Sequence, residues 1–318
     1  MTATLVTNIG QLVTNSDSKL GILNNAAFIY ENGKVTWVGN GKDAPSADSK
    51  IDAEGGTVTP GFVDSHTHAV FAGDRSKDYE ARMSGEKYFA GGIKTTVQAT
   101  RNASDEELRA NLERLFKQSR STGTTTLEIK SGYGLDVETE KRILSIAKEF
   151  TAETTFLGAH VIPEDFTNKR EKYVELVKGE MLDACAPFAK WIDVFCDTGA
   201  FTVDEAREIL KAGISRGLKG RIHGNQLGDT GGAELAAELH LASVDHCTHI
   251  SDKGIDALAQ AGVVATLLPG AEFFTRSPYP DARRFLNAGV TVALASDCNP
   301  GSSYISSMPV VMSIAIRE

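Results

Sequence analysis

No stretch of this chain approaches the ~20 consecutive apolar residues needed to cross a bilayer. The amino-terminal segment has neither the basic start nor the apolar run of a signal peptide. Basic runs are missing as well: 33 Lys and Arg face 42 Asp and Glu, a net charge of −9. An acidic chain of this kind is a poor partner for nucleic acid or an anionic membrane. Cysteine is scarce, with Cys185, Cys196, Cys247 and Cys298 far apart and no CxxC pair. That excludes a disulfide framework and leads us to expect a cytoplasmic protein. Neither GxGxxG nor a phosphate-binding GxxxxGK loop follows any candidate strand, which removes the commonest reasons for an open nucleotide-binding sheet.

What is present is the composition of a packed protein, 41% hydrophobic and 24% charged over 318 residues. Such a chain is too apolar for disorder and long enough for one large domain plus a small one. Residues 1–58 are dominated by short β-type runs. Asn32-Gly33, between β-rich arms, can take the positive φ angles of a two-residue hairpin turn. We expect a small β-sandwich-type domain there and a second domain over 59–318.

In that second part, short apolar runs at 58–63, 125–129, 155–158, 192–195, 219–222, 242–244, 263–268 and 291–295 alternate with charged, helix-like stretches. One such stretch opens on Ser104 followed by Asp105, Glu106 and Glu107, a cap and an acidic first turn. Eight strands with helical crossovers fit an α/β protein, a (β/α)8 TIM-like barrel, whose usual size is about 250 residues. The long gap between the first two strands leaves room for an active-site loop around 75–92.

Polar residues gather where these strands end, the end at which such barrels place their active sites. Six of the seven histidines lie at or near a strand end, and only His240 falls on a helix-like stretch. His66 and His68, two apart on a strand, point to one face and can converge on one ion. His223 and Asp297, at later strand ends, complete three imidazoles and a carboxylate, a donor set suited to one divalent metal ion, Zn or Fe, with a position left for water. The alternatives are a hydrogen-bonded core histidine for His223 and a helix cap for Asp297. His246 is placed either to hydrogen-bond a water or an oxyanion, or to orient a ligand. Arg75 offers a planar fork for a carboxylate, or pairs at the surface with Asp74 or Asp78.

The segment from Thr59 to His68 (TPGFVDSHTH) resembles the first-strand motif of the amidohydrolase superfamily. The stretches 70–75 (VFAGDR), 130–134 (KSGYG), 158–160 (GAH) and 297–302 (DCNPGS) are more narrowly similar to its family that opens an imidazolone ring in histidine degradation. The resemblance implies hydrolysis of the cyclic amide of 4-imidazolone-5-propanoate to N-formimidoyl-L-glutamate. It implies His66, His68, His223 and Asp297 as metal ligands. Arg75, Tyr88, Tyr133, His160, Asn299, Gly301 and Ser302 become contacts for a small anionic heterocycle, and a homodimer is implied as well.

Two departures from that family stand out. Many members carry Glu three residues after the fifth-strand histidine, where this chain has Gln226. An amide cannot act as a base, so Gln226 is left to hydrogen-bond the substrate while Asp297 and His246 handle protons. The residues after Ser296 suffice for the last loop and part of a helix over 308–318, whereas the resemblance implies further strands for the small domain. That domain is therefore expected to be incomplete. The rival readings are a related deaminase of a heterocyclic ring, which would release ammonia, and an inactive, truncated barrel that binds metal without turnover.

Overall fold

The structure is a computed structural model and describes residues 2–16, 20–85 and 92–318. It divides into two compact units, Met1–Gly61 and Phe62–Glu318.

The first unit is built on β1 (Thr4–Val13), which pairs antiparallel with β2 (Ile22–Glu31) and parallel with β4 (Ser49–Asp52) and β5 (Thr57–Val58). The hairpin partner β3 (Lys34–Asn40) follows β2 through Asn32 and Gly33 at φ 53° and 74°, the left-handed pair that a tight primed turn requires. Val6, Ile9, Leu12 and Ala26 cluster together, while Leu5, Ala27 and Ile29 form a second cluster. Among the described residues this unit is thus a single five-stranded sheet rather than two stacked ones. Gly10 is required where it stands: a Cβ there would meet the Gly55 carbonyl oxygen.

The second unit is a (β/α)8 barrel. Its strands are β6 (Phe62–Asp64), β7 (Thr124–Leu127) with β8 (Ile129–Lys130), β9 (Thr154–Ala159), β10 (Trp191–Cys196), β11 (Lys219–Gly220) with β12 (Ile222–Gly224), β13 (Ser243–His246), β14 (Val264–Leu267) and β15 (Val292–Leu294). The second and fifth staves are each interrupted once, at Glu128 and at Arg221. Neighbours pair in parallel from β6 through β15. Closure back to the first stave runs through the Asp297 amide to the His66 carbonyl (3.0 Å) and the His68 amide to the Cys298 carbonyl (2.9 Å). The chain therefore joins its first and last strands at the residues singled out for chemistry.

The helices are α1 (Ser76–Met83), α2 (Ile93–Asn102), α3 (Asp105–Ser121), α4 (Val137–Lys148), α5 (Arg170–Leu176), α6 (Leu182–Cys185), α7 (Val203–Ser215), α8 (Gly232–Glu238), α9 (Asp252–Ala261), α10 (Pro269–Thr275), α11 (Ala282–Asn287) and α12 (Met308–Arg317). Local sequence starts them: Ser104 with Glu107 and Thr202 with Glu205 form full capping boxes at α3 and α7. In α3 the buried residues are Leu108, Leu112, Leu115 and Ser119, a stripe at helical spacing. Each such leucine contributes about 1.5–3 kcal/mol by burial. The segment expected as a loop around 75–92 in fact holds α1. Among the described residues no helix is long and apolar enough to cross a membrane.

Candidate active site

Beyond β6 the chain runs Ser65-His66-Thr67-His68 across the barrel mouth, and the parallel pairing of β12 with β13 sets His223 beside Asp245. The His66 and His223 rings stand 4.4 Å apart between centroids, and His68 Nε2 lies 3.3 Å from His223 Nε2. Asp297 Oδ1 is 3.6 Å from His66 Nε2 and 3.7 Å from His68 Nε2. Asp297 reaches that point from a left-handed backbone (φ 52°), and its Oδ2 accepts a hydrogen bond from Ser302 Oγ (3.2 Å). The loop around it is self-built: Asn299 Oδ1 accepts from the amides of Gly301 and Ser302, each at 2.8 Å.

Carboxylates below the mouth fix the rings. His66 Nδ1 donates to Asp245 Oδ2 at 2.7 Å, and His223 Nδ1 donates to Asp193 Oδ1 at 3.0 Å. Each bond selects the tautomer whose Nε2 carries a lone pair toward the centre. His66 Nε2 is buried with no hydrogen-bond partner, a costly state for a polar atom unless something else binds it. Burial, then the charge of Lys130, holds the His66 imidazole well below its ordinary pKa. Burial, then His160, does the same for His68, so both rings are neutral donors. Burial pushes the Asp297 carboxyl well above the carboxylate range against hydrogen bonds from Asn299 and Ser302, a tendency a neighbouring cation would reverse. Two sets, His66 with His68 and Asp297, and His66 with His223 and His246, have their donor atoms within 4.8 Å of one another. Three imidazole nitrogens and a carboxylate, with an orphaned Nε2 among them, fit a divalent ion.

Above them is a recess. His68, Arg75, Tyr133, His160, His223, Gln226, His246, Asp297, Asn299, Gly301 and Ser302 line it, with Ile93 and Phe195 as apolar walls. The residues expected from sequence are thus brought to one place, with His66 in contact beneath. Tyr88 lies outside the described residues. His160 stacks on His68 (5.1 Å, 18°) and donates from Nδ1 to the Gly132 carbonyl at 2.9 Å, which leaves its Nε2 as an acceptor. Burial, then His223, lowers the His160 pKa to about 3. Arg75 is buried and lines the recess, so it is not a surface residue, although its Nε does donate to Asp78 Oδ2 at 2.6 Å. Its Nη1 also reaches Thr96 Oγ1 at 3.2 Å. Asp297 caps no helix, so that alternative falls away.

Sequence reasoning gave no role to Glu128, Lys130, Asp193, Arg221 and Asp245, all buried. The available signal was a charged residue inside an otherwise apolar strand, as in Trp191-Ile192-Asp193-Val194-Phe195. Cys247 and Cys298 are buried thiols, pushed up by burial, and do not line the recess.

Comparison with known proteins agrees with this architecture. The chain belongs to the amidohydrolase family, whose model matches residues 57–316. Relatives within that family include imidazolonepropionases. It is 59% identical to the one from Salinispora arenicola over 323 residues, covering 100% of this chain and 82% of the relative. To the one from Mycolicibacterium smegmatis it is 56% identical, covering 100% of this chain and 81% of the relative. Among solved structures, guanine deaminase from C. acetobutylicum with bound guanine superposes with a TM-score of 0.74 at 16% identity, over 99% of this chain and 78% of that one. A triazine hydrolase variant gives 0.69 at 14%, over 96% and 74%. At those identities the likeness is one of fold. The chain is therefore a metal-dependent hydrolase acting on carbon–nitrogen bonds.

Proposed function

We propose that the substrate is 4-imidazolone-5-propanoate and that the reaction opens its ring to N-formimidoyl-L-glutamate, a step of histidine degradation. The observation that carries the proposal is the convergence of His66, His68 and His223 with Asp297 beneath a recess holding Arg75. His66, His68, His223 and Asp297 would hold one Zn or Fe ion, which supplies, when bound, a nucleophilic water at neutral pH and polarisation of the carbonyl.

The chain's own side chains do the rest. Asp297 takes the proton of the attacking water and returns it to the ring nitrogen as the carbon–nitrogen bond breaks. The oxygen of that water ends in the new carboxylate. His246, whose ring centre is 5.4 Å from that of His223, hydrogen-bonds the developing oxyanion, worth roughly 3 kcal/mol when preorganised. Arg75 receives the propanoate carboxylate, with Tyr133, His160, Asn299, Gly301 and Ser302 around the ring. Gln226 hydrogen-bonds the substrate and takes no proton. Cytoplasmic location suits four free, buried cysteines, and a homodimer is part of the same proposal.

A deaminase reading rests on fold likeness at 16% identity, against 59% for the imidazolonepropionase of Salinispora arenicola. The experiment is metal analysis with an assay of imidazolone ring opening on this chain. One equivalent of Zn or Fe and loss of the imidazolone without ammonia support the proposal. Ammonia release, or a metal-loaded chain without turnover, sinks it.

A further inference from the structure

Beneath the proposed ligands lies a set of buried charges. Lys130, fully buried on β8, donates to Glu128 Oε1 at 3.0 Å and forms an ion pair with Asp193 Oδ2 at 2.8 Å. Asp245 Oδ2 is 4.0 Å from the same ammonium and receives Arg221 Nη2 at 2.8 Å. Each carboxylate then acts on the ligands above. Asp193 holds His223, Asp245 holds His66, and Glu128 Oε2 accepts the amide of Thr67 (3.1 Å), the residue between His66 and His68. The Lys130 amide in turn donates to the Thr67 carbonyl at 2.9 Å.

We propose that Lys130 is a positioning residue for the metal centre: its ammonium, set between Glu128 and Asp193, fixes the carboxylate that aims His223 and the backbone that carries His66 and His68. Charge balance supports it. With Asp297 the connected set holds four buried carboxylates against the two cations Lys130 and Arg221, and one divalent ion makes up the difference. Buried charges persist only when paired in this way. The inference rests on the metal reading given above, and it adds a direction that electrostatics alone would reverse. A lysine acting only as a nearby positive charge would repel the ion, so its removal would tighten binding. A lysine that orients the ligands would weaken binding when lost.

The test is Zn²⁺ affinity, measured by competition with a chromophoric chelator, for wild type, Lys130→Met, and the double variant Glu128→Gln with Lys130→Met. The double variant removes one charge of each sign and keeps an acceptor for the Thr67 amide, while taking away the ammonium paired with Asp193 Oδ2. Circular dichroism of the metal-free proteins reports folding separately. Loss of an outer partner of a metal ligand typically costs 10–100-fold in affinity. We expect the folded double variant to bind Zn²⁺ about 10–100-fold more weakly than wild type. An affinity within about twofold of wild type, or a tighter one, overturns the inference. Failure of the double variant to fold also overturns it, because the lysine would then serve the barrel and not the ion. A wild-type chain that takes up no Zn²⁺ at all would instead strike the metal reading itself.

Discussion

His66 Nδ1 lies 2.7 Å from Asp245 Oδ2, a hydrogen bond between residues 179 apart in the chain that ties the first barrel strand to the sixth. Despite burial, Arg221 and Lys130 hold the Asp245 carboxyl below its ordinary range, so the acceptor is an ionised carboxylate. Asp245→Asn keeps the shape and removes the charge that favours Nδ1–H and a basic Nε2. Bound metal should then dissociate about 10–100-fold more readily, measured by dialysis against chelator and elemental analysis. Full retention would show that His66 needs no anionic partner.

Arg75 is a different case, since its guanidinium already serves Asp78 and Thr96. A fork with five donors can keep both contacts and still present a face to a carboxylate. Arg75→Ala should raise KM for the imidazolone substrate by about 10–100-fold, the worth of a hydrogen bond to a charged group, with kcat much less affected. An unchanged KM would remove Arg75 from substrate binding.

Gly301 faces that same guanidinium closely. A Cβ at this position would stand 2.9 Å from Arg75 Nη1 and 3.0 Å from Nη2, and the Gly301 carbonyl also accepts from Arg82 Nη2 at 2.9 Å. Gly301→Ala should displace Arg75 and mimic its loss, raising KM by up to ~100-fold while leaving metal content intact. Steady-state kinetics beside elemental analysis separates the two effects, and unchanged kinetics would show that the arginine yields without cost.

Much of this could be read along the chain. The apolar runs marked the barrel strands because parallel strands are buried on both faces, and Asn32-Gly33 marked the hairpin through its backbone preference. His66, His68, His223 and Asp297 were legible because strand ends at one rim of a barrel converge whatever their separation in sequence. Helix α1 was not legible: Arg82 is its one buried residue among those described, so it shows no apolar stripe. Nor were the partners of Asp193 and Asp245. Their pairing with Lys130 and Arg221 is set by facing positions inside a closed barrel, and no local pattern records that.

Gln226 tests how the proton moves. Its backbone N–H donates to Asp197 Oδ2 at 2.7 Å, which anchors the chain there whatever side chain the position carries. Gln226→Glu should keep turnover or raise it by up to ~100-fold, the gain a positioned general base can add. Stopped assays of imidazolone loss read the outcome, and abolished activity would mean that the amide itself is needed for substrate binding.

Glu272 makes stability depend on pH. On α10 it is almost fully buried, its Oε1 accepting from Thr248 Oγ1 at 2.6 Å while Oε2 has no partner. Burial pushes its carboxyl from 4.5 up to about 7. An acid whose pKa rises on folding holds its proton more tightly in the folded state. Its contribution is therefore complete below a pH of about 4.5 and lost as pH climbs through about 7, at most ~3 kcal/mol. Glu272→Gln removes that dependence. Urea unfolding of both proteins between about pH 4.5 and pH 8 should show wild type losing stability relative to the variant as pH rises, by up to ~3 kcal/mol. A difference that stays flat across that range would mean that Glu272 ionises in the folded barrel at no cost.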